Sequence, residues 1–298
     1  MGRHDTGRHD TGGQDTGRGN VPGCQPLSSE VRAVSLTDAS AMLKHPSLYE
    51  IGHRPYPLPK RPWIMAMNWH DLLFMHWDID PQVMRAIVPA AFELDLFDDR
   101  AWLGVVPFRM SDVRPRCVPA LPRSGRRANP SHFLELNVRT YVRCGDRPGV
   151  LFFSLDAESR LAVRAARRFF HLPYFDARMS MTLPDGGVDF RSHRTHRNAP
   201  PADLAVRYRP CPGSTPSPAS AGTLEYFLTE RYCLYTQDAR GRVLRVDIHH
   251  VPWPLQAATV DVDELAMTSG VGVELVGPPP LVHFARRLDV VAWRNQPV

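Results

Sequence analysis

Residues 133–175, FLELNVRTYVRCGDRPGVLFFSLDAESRLAVRAARRFFHLPYF, decide the fold. Their first part alternates without a break. Leu134, Leu136, Val138, Thr140 and Val142 share one face, and Glu135, Asn137, Arg139 and Tyr141 share the other, which is the two-residue period of a strand. Asp146, Arg147, Pro148 and Gly149 predict a turn, because proline presets φ and glycine tolerates positive φ. Residues 150–155 are a short apolar run, the pattern of a strand covered on both faces. Asp156 is the predicted N-cap of a helix that runs to about Phe170, with Pro173 just beyond it. A row of Glu, Asn, Arg and Tyr on such a strand is either an ordinary solvent face or the inner lining of a closed sheet. The alternation leaves both open.

Upstream of this unit, residues 65–77, MAMNWHDLLFMHW, read as a first strand. Asp80 and Pro81 start a helix, with Asp as cap and Pro in the first turn; Val83, Met84, Ile87 and Val88 give its apolar stripe and Pro89 ends it. Asp98-Asp99-Arg100 reads as a turn, residues 102–108 as a strand, and residues 114–130 as a long basic loop. Downstream, ARMSMTLPDGGVDFRS predicts a hairpin turning at Asp185-Gly186-Gly187. A strand over 204–209 and a Pro/Ser/Gly loop over 210–222 follow. Then come the segments GTLEYFLTERYCLY, VLRVDIHH and VPWPLQ, and a last strand over 288–293. Many strands with two or three short helices predict an α+β fold on an antiparallel or mixed sheet. No Gly-x-Gly-x-x-Gly, Walker loop or repeated βαβ unit is present.

Residues 2–18 are a five-residue repeat, GRHDT-GRHDT-GGQDT-GR, with nothing apolar to bury. Residues 1–20 are therefore expected to be a disordered tail. Residues 21–62 read as a Pro/Ser-rich linker ending in HRPYPLPKRPW, and 63–298 as a single domain. The apolar fraction of 43% is enough for a core. The formal charge is +5, but every basic residue except Lys44 and Lys60 is arginine, a bias that with 29 prolines reads as that of a GC-rich genome. That argues against a nucleic-acid partner, which clusters its basic residues. Five cysteines, odd in number and without a Cys-x-x-Cys, fit a reducing compartment and neither a disulfide framework nor a cysteine zinc site. With no apolar run near eighteen residues and no signal-peptide core, the expectation is a cytoplasmic protein with no membrane partner.

Several segments in order carry a resemblance: WHDLLFMHW, ELDLFDDRAWLGVVPFRM, FLELNVRTYVR, FFSLDAESRLAVRAARRFFHLPYF, FLTERYCLY and IHHVPWPL. From about Trp63 onward the chain resembles the YqjF-like family, an uncharacterised-domain family within the acetoacetate decarboxylase-like superfamily. The resemblance implies a β-rich, cone- or barrel-like sheet with a few peripheral helices and a ligand pocket, and it implies no particular reaction. The more distant acetoacetate decarboxylases form a Schiff base through a lysine in a Gly-x-Pro-Lys-Lys-type motif. This sequence has His171-Leu172-Pro173-Tyr174-Phe175 there. Phe133-Leu134-Glu135 keeps the glutamate of the central strand, and His70 in Trp69-His70-Asp71 stands where the resemblance implies a substrate-holding arginine. Leu103 and Gly104 stand where it implies a second acidic residue. Lysine-based covalent catalysis is not expected, because Lys44 and Lys60 both precede Trp63.

If the strand lines a closed sheet, Glu135 becomes an acid/base group, with Arg139 pairing it or holding an anion and Asn137 and Tyr141 completing the row. Buried charges must be paired or neutralised, so a Glu135–Arg139 pair is expected. His70 and His76 share strand parity and are expected on one face. For either histidine, a backbone-bonded core role is the plain alternative. Tyr174 cannot form an imine but can donate a hydrogen bond or proton; packing with Phe169, Phe170 and Phe175 is its alternative. Asp247, His249 and His250 are read as packing beside Pro252-Trp253-Pro254, so no metal and no cofactor are expected. The resulting expectation is a small-molecule protein doing non-covalent acid/base chemistry, lyase, hydratase or isomerase in type, on a carbonyl- or carboxylate-bearing compound. Glu135, His70 and Tyr174 are the catalytic candidates, and Arg139, Asn137, Tyr141 and His76 the substrate-binding ones. The alternative is a metabolite binder that turns nothing over, and a homo-oligomer is left open.

Overall fold

The computed structural model describes residues 45–123, 125 and 128–298. The repeat tail, and the linker up to Lys44, lie outside the described residues. Strand β1 (Met65–Ile79) and helix α1 (Pro81–Ile87) fall where the pattern put them, and the Gln82 amide donates to the Asp80 carboxylate at 2.7 Å. The apolar stripe of α1 is narrower than the sequence implied. Met84 and Val88 are buried, but Val83 is 45% exposed, since neighbouring positions on a helix diverge by about 100° and a seven-residue helix presents one narrow stripe. The short strand β2 (Glu93–Leu94) leads into β3 (Ala101–Pro115) through Asp98 and Asp99. Both aspartates take positive φ, 48° and 58°, the mirror-image turn whose twist matches antiparallel strands.

The central unit is β4 (Phe133–Cys144), β5 (Arg147–Ala157), α2 (Arg160–Phe169) and β6 (Tyr174–Thr182). Two local expectations are corrected. The turn is Gly145-Asp146, with Gly145 at φ 59°, and Pro148 and Gly149 belong to β5. Gly149 is needed there for close approach, because a Cβ would lie 2.7 Å from the Tyr235 ring and 2.8 Å from Cys233 Sγ. The cap of α2 is Ser159, which accepts from the Ala162 amide. Asp156 stays in β5, where Arg194 donates two hydrogen bonds of 2.8 Å to its carboxylate. A carboxylate held by a guanidinium fork is not free to cap a helix.

Strands β7 (Val188–Arg194) and β8 (Asp203–Pro210) continue the meander; then come α3 (Leu224–Thr229), β9 (Cys233–Gln237) and β10 (Val243–His249). The chain ends on β11 (Gln256–Leu265), β12 (Leu281–Ala292) and β13 (Gln296–Pro297). All of these join one sheet, antiparallel except where β5 pairs in parallel with both β6 and β9. The sheet closes on itself twice. β12, β1, β3, β4 and β5 form a shared wall; β6, β7, β8 and β11 close it in one circuit, and β9 and β10 in another. β5 serves both circuits by pairing Val150 and Leu151 with β9 and residues 155–157 with β6. A register break between Val138 and Arg139 of β4 marks the change.

Each face of the wall therefore covers its own core. Leu136 and Val138 of β4 pack with Met179, Phe190, Leu204 and Val206 of β6–β8. On the opposite face, Phe74, Phe108 and Leu155 pack with Val246, Trp253, Leu288 and the α2 residue Val163. Burial on both faces removes the solvent-face reading of β4, whose first ten residues are all buried. Residues 45–62, read in sequence as the end of a linker, are packed against the strands. Ser47 O accepts from His249 Nε2 at 2.8 Å, Arg54 donates to Ile248 O at 2.8 Å, and Trp293 Nε1 donates to Arg61 O at 2.7 Å. No described helix is long and apolar enough to cross a membrane.

Candidate functional site

The alternation of β4 sends Glu135, Asn137, Arg139 and Tyr141 to the face opposite Leu134, Leu136 and Val138, and all four are buried. Tyr174, the first residue of β6, reaches this row because Leu155 of β5 pairs with it in parallel register. Its hydroxyl donates to Glu135 Oε2 at 2.8 Å. The pair expected in sequence between Glu135 and Arg139 does not form. Four residues of extended strand separate their Cα atoms by roughly 13 Å, and each finds a nearer partner. Arg139 donates to Leu228 O at 3.2 Å, with its guanidinium 5.2 Å from the centre of the Phe74 ring and 5.7 Å from that of Tyr141. A guanidinium seated on aromatic faces is favoured by their quadrupoles. Tyr141 and His76 join at 2.8 Å through the hydroxyl and Nε2.

The electrostatics follow from burial. Desolvation pushes the Glu135 carboxyl up to about 8, against the Tyr174 hydrogen bond, which favours the charged form; Asp156 adds to the rise. Glu135 therefore carries its proton at neutral pH. Tyr174 is pushed well above the usual phenol value by burial and by the carboxylate beside it. His76 is held well below the usual imidazole value by burial, with Arg139 and His283 contributing, and so is neutral. Asn137 Oδ1, Arg139 Nε, His76 Nδ1 and Trp253 Nε1 are buried with no hydrogen-bond partner among the described residues. Buried polar atoms are nearly always satisfied, so each of these four is a donor or acceptor that a polar guest would satisfy.

His70 and His76 do not share a face. Asp71 takes φ 52°, and the pairing of β1 with β3 skips between His70 and Met75. Trp69 and Phe74, of opposite parity, consequently both touch Trp253. The bulge is held in place by Arg109 and Arg286 on the Asp71 carboxylate, at 3.3 and 2.9 Å, and by the Tyr208 hydroxyl on its carbonyl at 2.7 Å. One extra residue reverses the alternation. His76 therefore stacks on Phe74 inside the row, whereas His70 turns away and bonds Ser111 Oγ at 2.8 Å. His70 sits near 4, lowered by burial and then by Arg109 and Arg287. His249 and His250 are buried against backbone carbonyls, those of Ser47 and Val251 at 2.8 Å.

The sequence reading missed several contributors. Gly104 pairs with both His76 and Arg139, and a Cβ there would lie 3.1 Å from the histidine ring and 3.3 Å from Arg139 Cγ. A glycine in mid-strand was its visible signal. His283 is the cross-strand partner of Phe74. It lines, with Glu225, Ser217 and Leu255, an open cleft of about 340 Å³, and Leu255 packs in the same cluster as Phe74 and Trp253. Nothing local to His283 announces that position.

Residues 66–289 match the family DUF2071, described as an uncharacterized conserved protein. The chain belongs to the DUF2071 family. The uncharacterized protein YqjF of Bacillus subtilis (strain 168) is 43% identical over 236 residues, 79% of this chain and 93% of the relative. Two solved structures show the fold that this DUF2071 chain shares. The enduracididine biosynthesis enzyme MppR, complexed with pyruvate, aligns with a TM-score of 0.53 at 10% identity over 83% of this chain and 93% of its own. Acetoacetate decarboxylase from Legionella pneumophila subsp. pneumophila str. Philadelphia 1 aligns with a TM-score of 0.52 at 13% identity, again over 83% and 93%. The DUF2071 chain thus has the acetoacetate decarboxylase-like fold.

Proposed function

We propose that this protein binds a small carbonyl- or carboxylate-bearing compound on the buried face of β4 and performs non-covalent acid/base chemistry on it. The observation that carries the reading is the Glu135–Tyr174 pair. A carboxyl with its pKa near 8 is protonated at rest and still able to ionise in a working cycle, the range in which general acid/base catalysis is most efficient. In this reading Glu135 gives or takes the proton at a carbon or oxygen next to the carbonyl, and the Tyr174 hydroxyl steadies the carboxylate when it forms. Arg139, unpaired with any carboxylate among the described residues, holds the anionic end of the ligand, and Asn137 Oδ1 takes a donor between them. In this reading the ligand enters from the cleft at Glu225 and His283, because His283 pairs across the strands with Phe74 beside the row. Lys60 is exposed, and a lysine nucleophile needs a desolvated pocket; the reading therefore uses no Schiff base. MppR, a fold relative, is described in complex with pyruvate, which makes 2-oxo acids the first compounds to try.

The test is exchange of hydrogens next to the carbonyl of pyruvate and larger 2-oxo acids in heavy water, followed by proton NMR. The wild type should exchange at least one of them faster than buffer, and Glu135→Gln should abolish exchange while ligand-induced thermal stabilisation persists. Stabilisation by a ligand with no exchange in either protein would favour a binder that turns nothing over. Neither stabilisation nor exchange with any carbonyl or carboxylate compound would refute both.

A further inference from the structure

A second cleft, with none of its lining residues on β4, carries an independent assignment. It measures about 440 Å³ and is walled by Pro57, Leu58 and Pro59 on one side and by β5, β10 and β13 on the other. Four cations line it: Lys60, Arg61, Arg147 and Arg245. The one carboxylate among the lining residues is Asp247, which is buried. Arg245 Nε and Arg147 approach Asp247 Oδ1 at 3.1 and 3.4 Å, while Gln296 and Arg61 approach Oδ2 at 3.2 and 3.8 Å.

A single carboxylate cannot neutralise four cations, so the cleft carries a formal charge of +3. The arrangement is also rigid. Arg147 lies over the Tyr56 ring at 4.4 Å, Arg61 is pinned through its carbonyl by Trp293 at 2.7 Å, and Pro55, Pro57 and Pro59 alternate along the wall segment. Asp247 thus acts as a template that gathers three guanidiniums; Arg61 also donates to Arg294 O at 2.5 Å, while Arg147 and Arg245 keep N–H groups not directed at Asp247 for another acceptor. Arg61 Nε is buried with no partner among the described residues. Guanidinium forks match oxyanions in geometry, and several in one cleft select for multiple negative charge.

We propose that this cleft is a binding site for a small polyvalent oxyanion, a phosphate- or polycarboxylate-bearing metabolite. Arg61, Arg147 and Arg245 supply the forks and Lys60 adds charge at the rim. The assignment does not depend on the function proposed for the β4 row.

The experiment is calorimetric titration of the full chain with inorganic phosphate, inorganic pyrophosphate and citrate at constant ionic strength, with thermal melting in parallel. At least one polyvalent anion should bind and raise the melting temperature beyond sodium chloride of equal ionic strength. Pyrophosphate above citrate would point to a phosphate ligand, and the reverse order to a polycarboxylate. The Arg147→Gln/Arg245→Gln variant should weaken binding by about tenfold or more, since two charged forks are removed. Because those arginines also hold a buried carboxylate, Lys60→Gln serves as a second variant that leaves Asp247 paired and should weaken binding less. Nitrogen-15 spectra of the wild-type arginine Nε groups should shift on titration. No anion outperforming chloride, unchanged affinity in the double variant, or unperturbed arginine signals would overturn the assignment.

Discussion

Replacing Glu135 by glutamine tests the electrostatics on which the proposed chemistry rests. The carboxyl titrates at about 8 in the folded protein and at an ordinary 4.5 once unfolded. Between those values the folded state holds a proton that the unfolded state has released, so the stability contributed by protonated Glu135 is fully present below pH 4.5. It is lost as the pH rises toward 8, at about 1.4 kcal/mol per pH unit. Across this window the loss sums to about 5 kcal/mol, an upper bound because water entry and relaxation soften the burial of a charge. Glutamine keeps the shape, accepts from the Tyr174 hydroxyl through its carbonyl, and does not titrate. Wild type minus Glu135→Gln, measured by urea unfolding at pH 5, 6, 7, 8 and 9, should therefore fall with pH and then level off. The other ionisable groups are common to both proteins and cancel to first order. Tryptophan fluorescence is a suitable signal, since Trp253 and Trp293 are buried. A difference that is flat, or that rises with pH, would show that Glu135 ionises as an ordinary carboxylate and would remove the basis for its acid/base role.

Tyr174→Phe removes the one donor that favours ionised Glu135. The carboxyl should then titrate above 8 in carbon-13 NMR, and the variant should lose roughly 1.5–3 kcal/mol more at pH 9 than at pH 6, the value of a charge-assisted hydrogen bond. Gly104→Ala places a methyl against His76 and Arg139. It is expected to destabilise by about 1–3 kcal/mol in denaturant melts and to weaken whatever ligand binds the row, whereas Gly52→Ala, with open space around it, should change neither. Gly149→Ala should cost about 1–3 kcal/mol or more, because its Cβ meets the Cys233 backbone carbonyl at 2.9 Å and backbone cannot step aside. Tyr141→Phe leaves His76 without its hydroxyl partner and should cost about 1–3 kcal/mol by the same assay.

Local steric rules made much of this protein legible. The alternation of β4 placed Glu135, Asn137, Arg139 and Tyr141 together, and Asp80-Pro81 located the start of α1 within a residue. The cap of α2 was misplaced because Asp156 had a distant guanidinium that no neighbour in sequence could announce. β11 was overlooked: it is largely exposed, carries no apolar run, and forms through long-range pairing with β8 and β12. His70 was set beside His76 because parity counts hold only in an unbroken strand, and the positive φ at Asp71 depends on Arg109, Arg286 and Tyr208, each brought in from another strand.

What the sequence by itself determined is which residues sit on the same strand face, since that follows from the period of an extended chain. Only the tertiary structure decided what each of them meets: Glu135 met Tyr174, thirty-nine positions away, in place of Arg139 on its own strand. The reason is geometric. A strand keeps its own side chains several ångströms apart along one line, so the partner of a buried charge comes from whichever element is paired or packed across it, and that register is fixed by closure of the whole sheet.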